Sequence, residues 1–310
     1  MRKGKPKAIV IVGPTASGKT SLAIQLAREF NGEIVSADSR QLYRGTDICT
    51  DIPSGKWRAF KRRRAYLVGG VPHYLLNSES PARPITVSEY RRRAVWRLRE
   101  IASRGKLPFL VGGTGLYIRA VVDNFLIPAV EPQPKIRAKL ECSSTVKLYS
   151  TLRRLDPEYA ARISPGNRRY IIRALEVIKI TGKPFSAQQK IQTPQFDWFQ
   201  IGVDRPRQLL YSRIDQRVEQ MVERGLLKET ERLARRYGWS AQIMSSLGYK
   251  QLHDFFIGKI SLADALNLIK RDTRHYARRQ LTWLRRDNRV KWVDSATKVR
   301  LLITQFLKQT

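Results

Sequence analysis

Ala8-Ile9-Val10-Ile11-Val12-Gly13-Pro14-Thr15-Ala16-Ser17-Gly18-Lys19-Thr20 is an apolar run that ends in a complete G-x-x-x-x-G-K-[ST] phosphate loop. The glycines let the backbone curl so that successive N–H groups face one anion. Lys19 adds a mobile positive charge, and the Thr20 hydroxyl can hold a Mg²⁺ bound to phosphate oxygens. The flanks fit this reading. Five apolar residues precede the loop as a buried strand, and Leu22, Ala23, Leu26, Ala27 and Phe30 follow at helical spacing until Asn31-Gly32 closes the helix. Gly13, Pro14, Thr15, Ala16, Ser17, Gly18, Lys19 and Thr20 therefore form the cradle for a ligand with linked phosphates.

The alternation continues outward from that turn. Residues 7 to about 125 alternate short apolar strands with helical patterns, which predicts an α/β fold with a parallel sheet covered on both faces. Strands are expected near 8–12, 33–37 and 107–111, and Phe199-Gln200-Ile201-Gly202-Val203 returns to the sheet. Ligands of open α/β sheets bind outside the carboxyl ends of the strands. The phosphate loop, Asp38 after Glu33-Ile34-Val35-Ser36-Ala37, and Thr114 in Gly112-Gly113-Thr114-Gly115 should then converge on one crevice. There Asp38 is a candidate metal holder or general base, with a helix N-cap carboxylate as the plainer reading. Thr114 can donate to phosphate or simply serve the turn.

Between Asn124 and Gln195 the texture changes to helices punctuated by Pro128, Pro132, Pro134, Pro184 and Pro194, with Ile171, Leu175 and Ile178 on one amphipathic face. The expected organisation is an α/β core over 1–124 and an inserted helical domain over 125–196. Residues 197–310 then return to the core with a last strand, helices and a basic C-terminal segment. In that last part Leu210, Ile214, Val218 and Met221 share a face, and a later helix starts at Ser261 with Asp264 as its capping partner.

Charge separates this chain from an ordinary α/β enzyme: 59 Lys and Arg against 26 Asp and Glu give +33. A polyanion relieves such self-repulsion, so nucleic acid is the first partner to expect, against the plainer reading of basic, solvated faces. From Ile269 to Trp292, Lys270, Arg271, Arg274, Arg278, Arg279, Arg285, Arg286, Arg289 and Lys291 interleave with Tyr276, Trp283 and Trp292. Guanidinium groups suit phosphates and aromatics can stack on bases, although an amphipathic helix with a wet basic face reads the same way. Cys49 and Cys142 form no disulfide framework or zinc spacing with His73, His253 or His275. The basic Met1–Lys7 stretch is followed by too short an apolar run for a signal or membrane segment. A cytoplasmic protein, with no membrane association, is expected.

Gly13-Pro-Thr-Ala-Ser-Gly-Lys-Thr20, Asp38-Ser-Arg-Gln-Leu-Tyr-Arg-Gly45, Leu110-Val-Gly-Gly-Thr-Gly-Leu-Tyr117, Arg173-Ala-Leu-Glu-Val177, Leu247-Gly-Tyr-Lys-Gln251 and Arg278-Arg-Gln-Leu-Thr-Trp-Leu-Arg285 stand in a fixed order along nearly the whole chain. In that order and spacing they resemble the tRNA dimethylallyltransferase family, also called tRNA isopentenyltransferases. The resemblance implies a P-loop NTPase-like parallel sheet flanked by helices, with a small inserted helical domain that grips the anticodon stem. It implies transfer of a dimethylallyl group from dimethylallyl diphosphate to N6 of the adenosine 3′ of the anticodon, with Mg²⁺ as cofactor. By the same resemblance Asp38 accepts the N6 proton, Thr114 contacts the diphosphate near its breaking bond, and Arg213 clamps the diphosphate, whose growing charge Lys19 and Mg²⁺ can also stabilise. The tRNA-contacting segments it implies are Asp38, Ser39, Arg40 and Gln41; Arg169, Tyr170, Ile171, Ile172 and Arg173; Ser245, Ser246, Leu247, Gly248, Tyr249 and Lys250; and Arg278, Arg279, Gln280, Leu281, Thr282, Trp283, Leu284 and Arg285. A monomer acting on the anticodon stem-loop is expected.

The chain also departs from the family's common wording. It has Asp47-Ile-Cys-Thr-Asp-Ile-Pro53 for Asp-Ile-Gly-Thr-Ala-Lys-Pro, Pro72-His-Tyr-Leu-Leu-Asn77 for Pro-His-His-Leu-Ile-Asp, and Tyr170 where arginine is common. An adenylate isopentenyltransferase acting on free AMP or ADP would share the donor chemistry but need no helical insertion or basic tail. A P-loop kinase or NTPase would share the loop, but no Walker-B pattern of apolar residues ending in Asp is clear after it. A non-catalytic RNA-binding protein would need neither Asp38 nor Thr114.

Overall fold

The apolar run before the phosphate loop forms β1 (Lys7–Val12) in the computed structural model, which describes residues 4–60, 63–126, 128 and 130–309. Ala8 through Val12 are all 0% exposed, so the strand is covered on both faces, as parallel strands between helical layers are. The later strands are β2 (Gly32–Ser36), β3 (Lys56–Phe60), β4 (Arg63–Val68), β5 (Val71–Tyr74), β6 (Leu107–Gly112), β7 (Phe125–Leu126), β8 (Lys190–Ile191), β9 (Asp197–Val203) and β10 (Val290–Val293). The helices are α1 (Lys19–Glu29), α2 (Val87–Ser103), α3 (Gly115–Val122), α4 (Pro134–Glu141), α5 (Thr145–Leu155), α6 (Pro157–Arg162), α7 (Arg168–Thr181), α8 (Arg207–Glu223), α9 (Leu226–Tyr237), α10 (Tyr249–Phe256), α11 (Leu262–Leu284) and α12 (Ala296–Lys308).

One sheet has the order β10-β9-β1-β6-β2-β5-β4-β3. From β10 to β5 the neighbours are parallel, and Ile9 of β1 lies opposite both Phe109 of β6 and Phe199 of β9. The pairs β5–β4 and β4–β3 are antiparallel, so the parallel sheet expected from the sequence carries an antiparallel edge. That edge escapes a search for apolar runs because it is charged. Arg58 and Arg64 are exposed on it, and charge on an edge strand discourages pairing with another chain. Its local signature is Gly69-Gly70, both at positive φ (54° and 83°), which turns β4 back on β5 in two residues. β10 was likewise unexpected, being short and embedded in the basic segment.

One face of the sheet packs Ile9, Ile11, Ile34, Phe109, Val111 and Ile201 against Ala23 and Leu26 of α1 and Val299, Ile303 and Phe306 of α12. These are the alternate residues of each strand, which point to one side. Glu33 of β2 is buried, with its carboxylate held by Arg104 at 2.5 and 2.7 Å and by the Tyr74 hydroxyl at 2.8 Å.

The chain divides into two compact units: one of Met1–Ile85, Arg93–Ile118 and Gln195–Thr310, the other of Thr86–Arg92 and Arg119–Pro194. The second unit includes Thr86–Arg92 at the start of α2, which gave no sign in the sequence of belonging with the inserted helices. Its own core gathers Leu148 and Leu152 of α5, Tyr159 of α6 and Ile171, Ile172, Leu175 and Ile178 of α7. Glu176, fully buried in α7, accepts from Arg137 at 2.8 and 3.0 Å, from Arg173 at 2.6 Å and from the Gln133 N–H at 2.7 Å. Burial alone would raise its pKa, but these bonds outweigh that and hold the carboxyl below the usual range. No helix among the described residues is long and apolar enough to cross a membrane.

Truncating the sheet at its centre should be costly. Phe109→Ala is expected to lower the unfolding free energy by about 3–5 kcal/mol in a urea melt, whereas Ile191→Ala, at a residue 64% exposed, should change it by less than about 0.5 kcal/mol.

Candidate functional site

A crevice of about 1020 Å³ opens at the carboxyl ends of the parallel strands, lined only by residues of the larger unit. Beyond β1 come Thr15, Ala16, Ser17, Gly18, Lys19 and Thr20; beyond β2, Asp38, Ser39, Arg40 and Gln41; beyond β9, Arg205. Arg213 and Arg217 of α8, Tyr276, Arg279 and Gln280 of α11, and the segment Ser245, Ser246, Leu247 and Gly248 complete the wall.

Gly18, the N-cap of α1, has φ 85°, a left-handed conformation that costs little without a Cβ. It turns the first amides of α1, which have no partner within the helix, toward the crevice, where they and the helix dipole favour an anion. Lys19 Nζ donates to the loop's own Pro14 carbonyl at 3.1 Å. Burial pulls its pKa from 10.5 to about 8; Asp38 and Asp51 oppose that fall and the Arg217 charge adds to it. Arg217 donates to Thr15 Oγ1 at 2.8 Å, and Arg205 donates to the Ser17 carbonyl at 3.3 Å. Ser17 Oγ is buried without a hydrogen-bond partner.

Asp38 Oδ1 accepts from the N–H groups of Arg40 at 2.8 Å and Gln41 at 3.2 Å. This is the local turn that Asp makes with the backbone two residues on, and no helix begins there. Gln41 in turn donates to the Thr50 and Asp51 carbonyls at 3.0 and 2.9 Å. Thr114 lies behind this wall. Its Oγ1 accepts from the Ser39 N–H at 3.0 Å, and its side chain also bonds Tyr276. The phosphate loop and Asp38 therefore share the crevice, while Thr114 braces the Asp38–Ser39 turn.

Several residues expected to face RNA are internal struts. Gln280 is buried; its Oε1 accepts from the Thr15 N–H at 2.9 Å and its Nε2 donates to the Gly113 carbonyl at 3.0 Å. A Cβ on Gly113 would sit 2.3 Å from Gln280 Nε2, and one on Gly115 2.1 Å from the Trp283 ring. The glycines of Gly-Gly-Thr-Gly thus make room for α11 to dock on the end of β6. Tyr249, fully buried, donates to Glu229 at 2.8 Å, and Glu229 also accepts from the Ile48 and Cys49 N–H groups at 2.8 and 2.9 Å. Ser246, Leu284, Ile171 and Ile172 are buried as well, and Leu281 packs on α8. Arg173 is committed to Glu176 and to the Val130 carbonyl at 2.6 Å. Exposed are Ser245, Lys250, Arg278, Arg279, Thr282 and Arg285 in the larger unit, and Arg169 and Tyr170 in the other, although Arg285 already pairs with Asp204 at 3.2 Å and Ser245 donates to the Gln242 carbonyl at 2.7 Å.

Sequence reasoning missed Arg217, Arg205 and Asp51 as crevice residues. For Arg217 a signal was present, since it lies one helical turn beyond Arg213 and so on the same face of α8. Arg205 and Asp51 lie in loops whose placement depends on long-range contacts.

Two carboxylates line the crevice, Asp38 and Asp51, with the Thr20 hydroxyl at the loop, and among the described residues no three His, Cys, Asp or Glu gather as a metal cluster. Such a sparse set suits Mg²⁺, which keeps several waters and is held largely through substrate phosphates.

The chain matches the IPP transferase family model over residues 41–287 and an isopentenyl transferase model over residues 6–71. It is 47% identical over 283 residues to the tRNA dimethylallyltransferase of Roseiflexus sp. (strain RS-1), covering 90% of each chain. It is 43% identical over 299 residues to that of Thermomicrobium roseum, covering 95% of this chain and 88% of the relative. Among solved structures it is similar to the full-length tRNA isopentenylpyrophosphate transferase of Bacillus halodurans, with TM-score 0.69, 38% identity and 98% and 96% of the two chains covered. It is also similar to a eukaryotic dimethylallyltransferase acting on tRNA, with TM-score 0.74, 29% identity and 93% and 74% covered.

The depressed pKa of Lys19 has a stability consequence. The folded chain holds this proton less tightly than the unfolded one, so the destabilisation is full below about pH 8 and fades as pH rises toward 10.5. Lys19→Met should melt at a higher temperature than the parent at pH 7, with the gap narrowing above pH 8. A variant melting at or below the parent at pH 7 would contradict the assignment.

Proposed function

This chain belongs to the IPP transferase family, and from that premise we propose that it transfers a dimethylallyl group from dimethylallyl diphosphate to N6 of the adenosine 3′ of the anticodon in tRNA, releasing diphosphate. The observation that carries this reading is the meeting of the phosphate loop, Asp38 and the α8 arginines in one crevice. An anion cradle there faces a carboxylate, with room at about 1020 Å³ for a prenyl diphosphate and an extruded base.

The adenine amino group is a weak nucleophile because its lone pair is delocalised into the ring. Asp38, already oriented by the Arg40 and Gln41 amides, takes the N6 proton as the new C–N bond forms, which offsets that weakness. As the allylic C–O bond breaks, negative charge grows on the departing diphosphate. In this reading the first-turn amides of α1, Lys19 and Arg213 receive that charge from within the crevice wall, so little reorganisation is needed. The anion also draws Lys19 back toward its protonated form, since a nearby negative charge favours the ammonium. Thr114 contacts the diphosphate in this reading by turning its hydroxyl proton from Ser39 Oγ, 3.4 Å away, to a phosphate oxygen while still accepting from the Ser39 N–H. Mg²⁺, held by the Thr20 hydroxyl and phosphate oxygens, would supply further neutralisation of the leaving group.

The target base must leave the anticodon-loop stack to reach the crevice. Exposed Arg278, Arg279 and Arg285 of the C-terminal segment and Arg169 of the helical unit suit the stem-loop phosphates. The chain would do this work in the cytoplasm, as a monomer.

Incubation with labelled dimethylallyl diphosphate should label an anticodon stem-loop bearing the target adenosine and leave AMP unlabelled; exclusive labelling of AMP would overturn the reading. Asp38→Asn is expected to lower kcat by about 10²–10⁴-fold with stem-loop binding largely kept, and transfer at the parent rate would remove Asp38 from the role of base.

A further inference from the structure

Asp51 stands in the segment where the chain departs from the wording common in its family, and the structure brings its carboxylate to the phosphate crevice. Its φ is 53°, in the left-handed region that non-glycine residues seldom enter, although Asp and Asn tolerate it best. The surrounding bonds hold it there. Its N–H donates to the Ile48 carbonyl at 3.0 Å, and its own carbonyl accepts from Gln41 Nε2 at 2.9 Å.

So placed, the side chain meets Arg217 of α8 and Arg224, the residue that caps the helix's C-terminus. Asp51 Oδ2 is 3.4 Å from Arg217 Nε, and Oδ1 is 3.3 Å from Arg224 Nη1. Arg213, Arg217 and Arg224 are separated by four and seven residues, which places them along one face of the helix. Arg213 comes close to Gly18 of the phosphate loop, with Nη1 3.8 Å from where a Cβ on that glycine would sit. Arg217 holds Thr15 of the same loop at 2.8 Å. A single row of guanidinium groups therefore runs from the anion cradle toward solvent, and Asp51 neutralises its outer part. Its charge also reaches Lys19, opposing the fall in that residue's pKa.

We propose that Asp51 is a specificity residue of the phosphate crevice, holding Arg217 and Arg224 so that a diphosphate is favoured and a third phosphate is not. The inference rests on the reading of the crevice as a diphosphate site. The inner cations, Lys19 and Arg213, remain to receive two linked phosphates. A triphosphate reaching farther along α8 would meet the Asp51 carboxylate and arginines already paired with it. Like charge at that position raises the free energy of the longer anion more than of the shorter one.

The test is calorimetric titration of the full chain with inorganic diphosphate and with inorganic tripolyphosphate, each with Mg²⁺, for the parent and Asp51→Asn. Asparagine keeps the left-handed backbone and the shape while removing the charge. Asp51→Gly, which also tolerates positive φ, serves as a second variant should Asn disturb folding. Both variants should bind diphosphate about 3–10-fold more tightly than the parent and gain more for tripolyphosphate, so that the preference between the two anions shrinks. Unchanged or weaker binding of both anions, or an unchanged preference, overturns the proposal while leaving the diphosphate site standing. A parent chain that binds neither anion removes the diphosphate reading and this inference with it.

Discussion

The Lys19 ammonium, partly buried in the crevice wall near Arg217, stands where its charge is disfavoured, and Asp38 and Asp51 only partly offset that. Lys19 leans on the Pro14 carbonyl, Arg205 on the Ser17 carbonyl, and Arg217 on Thr15 Oγ1 and Asp51. Each cation is thus parked on an acceptor of the loop that receives the anion. A diphosphate arriving in the crevice supplies the charge that these groups lack, and it does so most strongly when charge shifts onto it as the leaving group. The fold serves this arrangement: the carboxyl ends of β1, β2 and β9 set the positions, and Gln280 ties α11 to both Thr15 and Gly113.

The parallel core was legible because its strands are buried on both faces and so read as unbroken apolar runs. The phosphate loop was legible for a different reason, since only a few residue types suit a backbone that wraps an anion. β3 and β4 were passed over because strands at a charged sheet edge break the apolar run, β5 because it is only four residues long and holds Pro72 and His73, and the two-residue Gly69-Gly70 turn was the cue available. The basic segment of α11 was harder to divide by sequence alone. Gln280 and Trp283 stand among arginines, yet the first is buried between two loops and the second packs on Gly115, contacts that join residues more than 160 positions apart. A motif shared across a family marks such struts as firmly as it marks substrate contacts.

The departing segment 47–53 shows how a local change is absorbed. Cys49 is buried, its thiol donating to the Leu247 carbonyl at 3.0 Å beside Gly248. Burial, reinforced by the Glu229 charge, pushes that thiol up to about 12, so it fills space and is chemically quiet. Glu229 pins the backbone leading into it through the Ile48 and Cys49 amides. Asp51, two residues on, is left to face the crevice. Packing and electrostatics in this segment are thus divided between neighbouring side chains.

The most direct measurement is a crystal structure of the chain with the thiolo analogue of dimethylallyl diphosphate, whose allylic C–S bond resists transfer. The diphosphate should lie over the N-terminus of α1, with Lys19 and Arg213 at about 3 Å from its oxygens and the allylic carbon directed toward Asp38. A diphosphate bound elsewhere, or one in the loop with its prenyl chain pointing away from Asp38, would contradict the assignment of the loop to the leaving group.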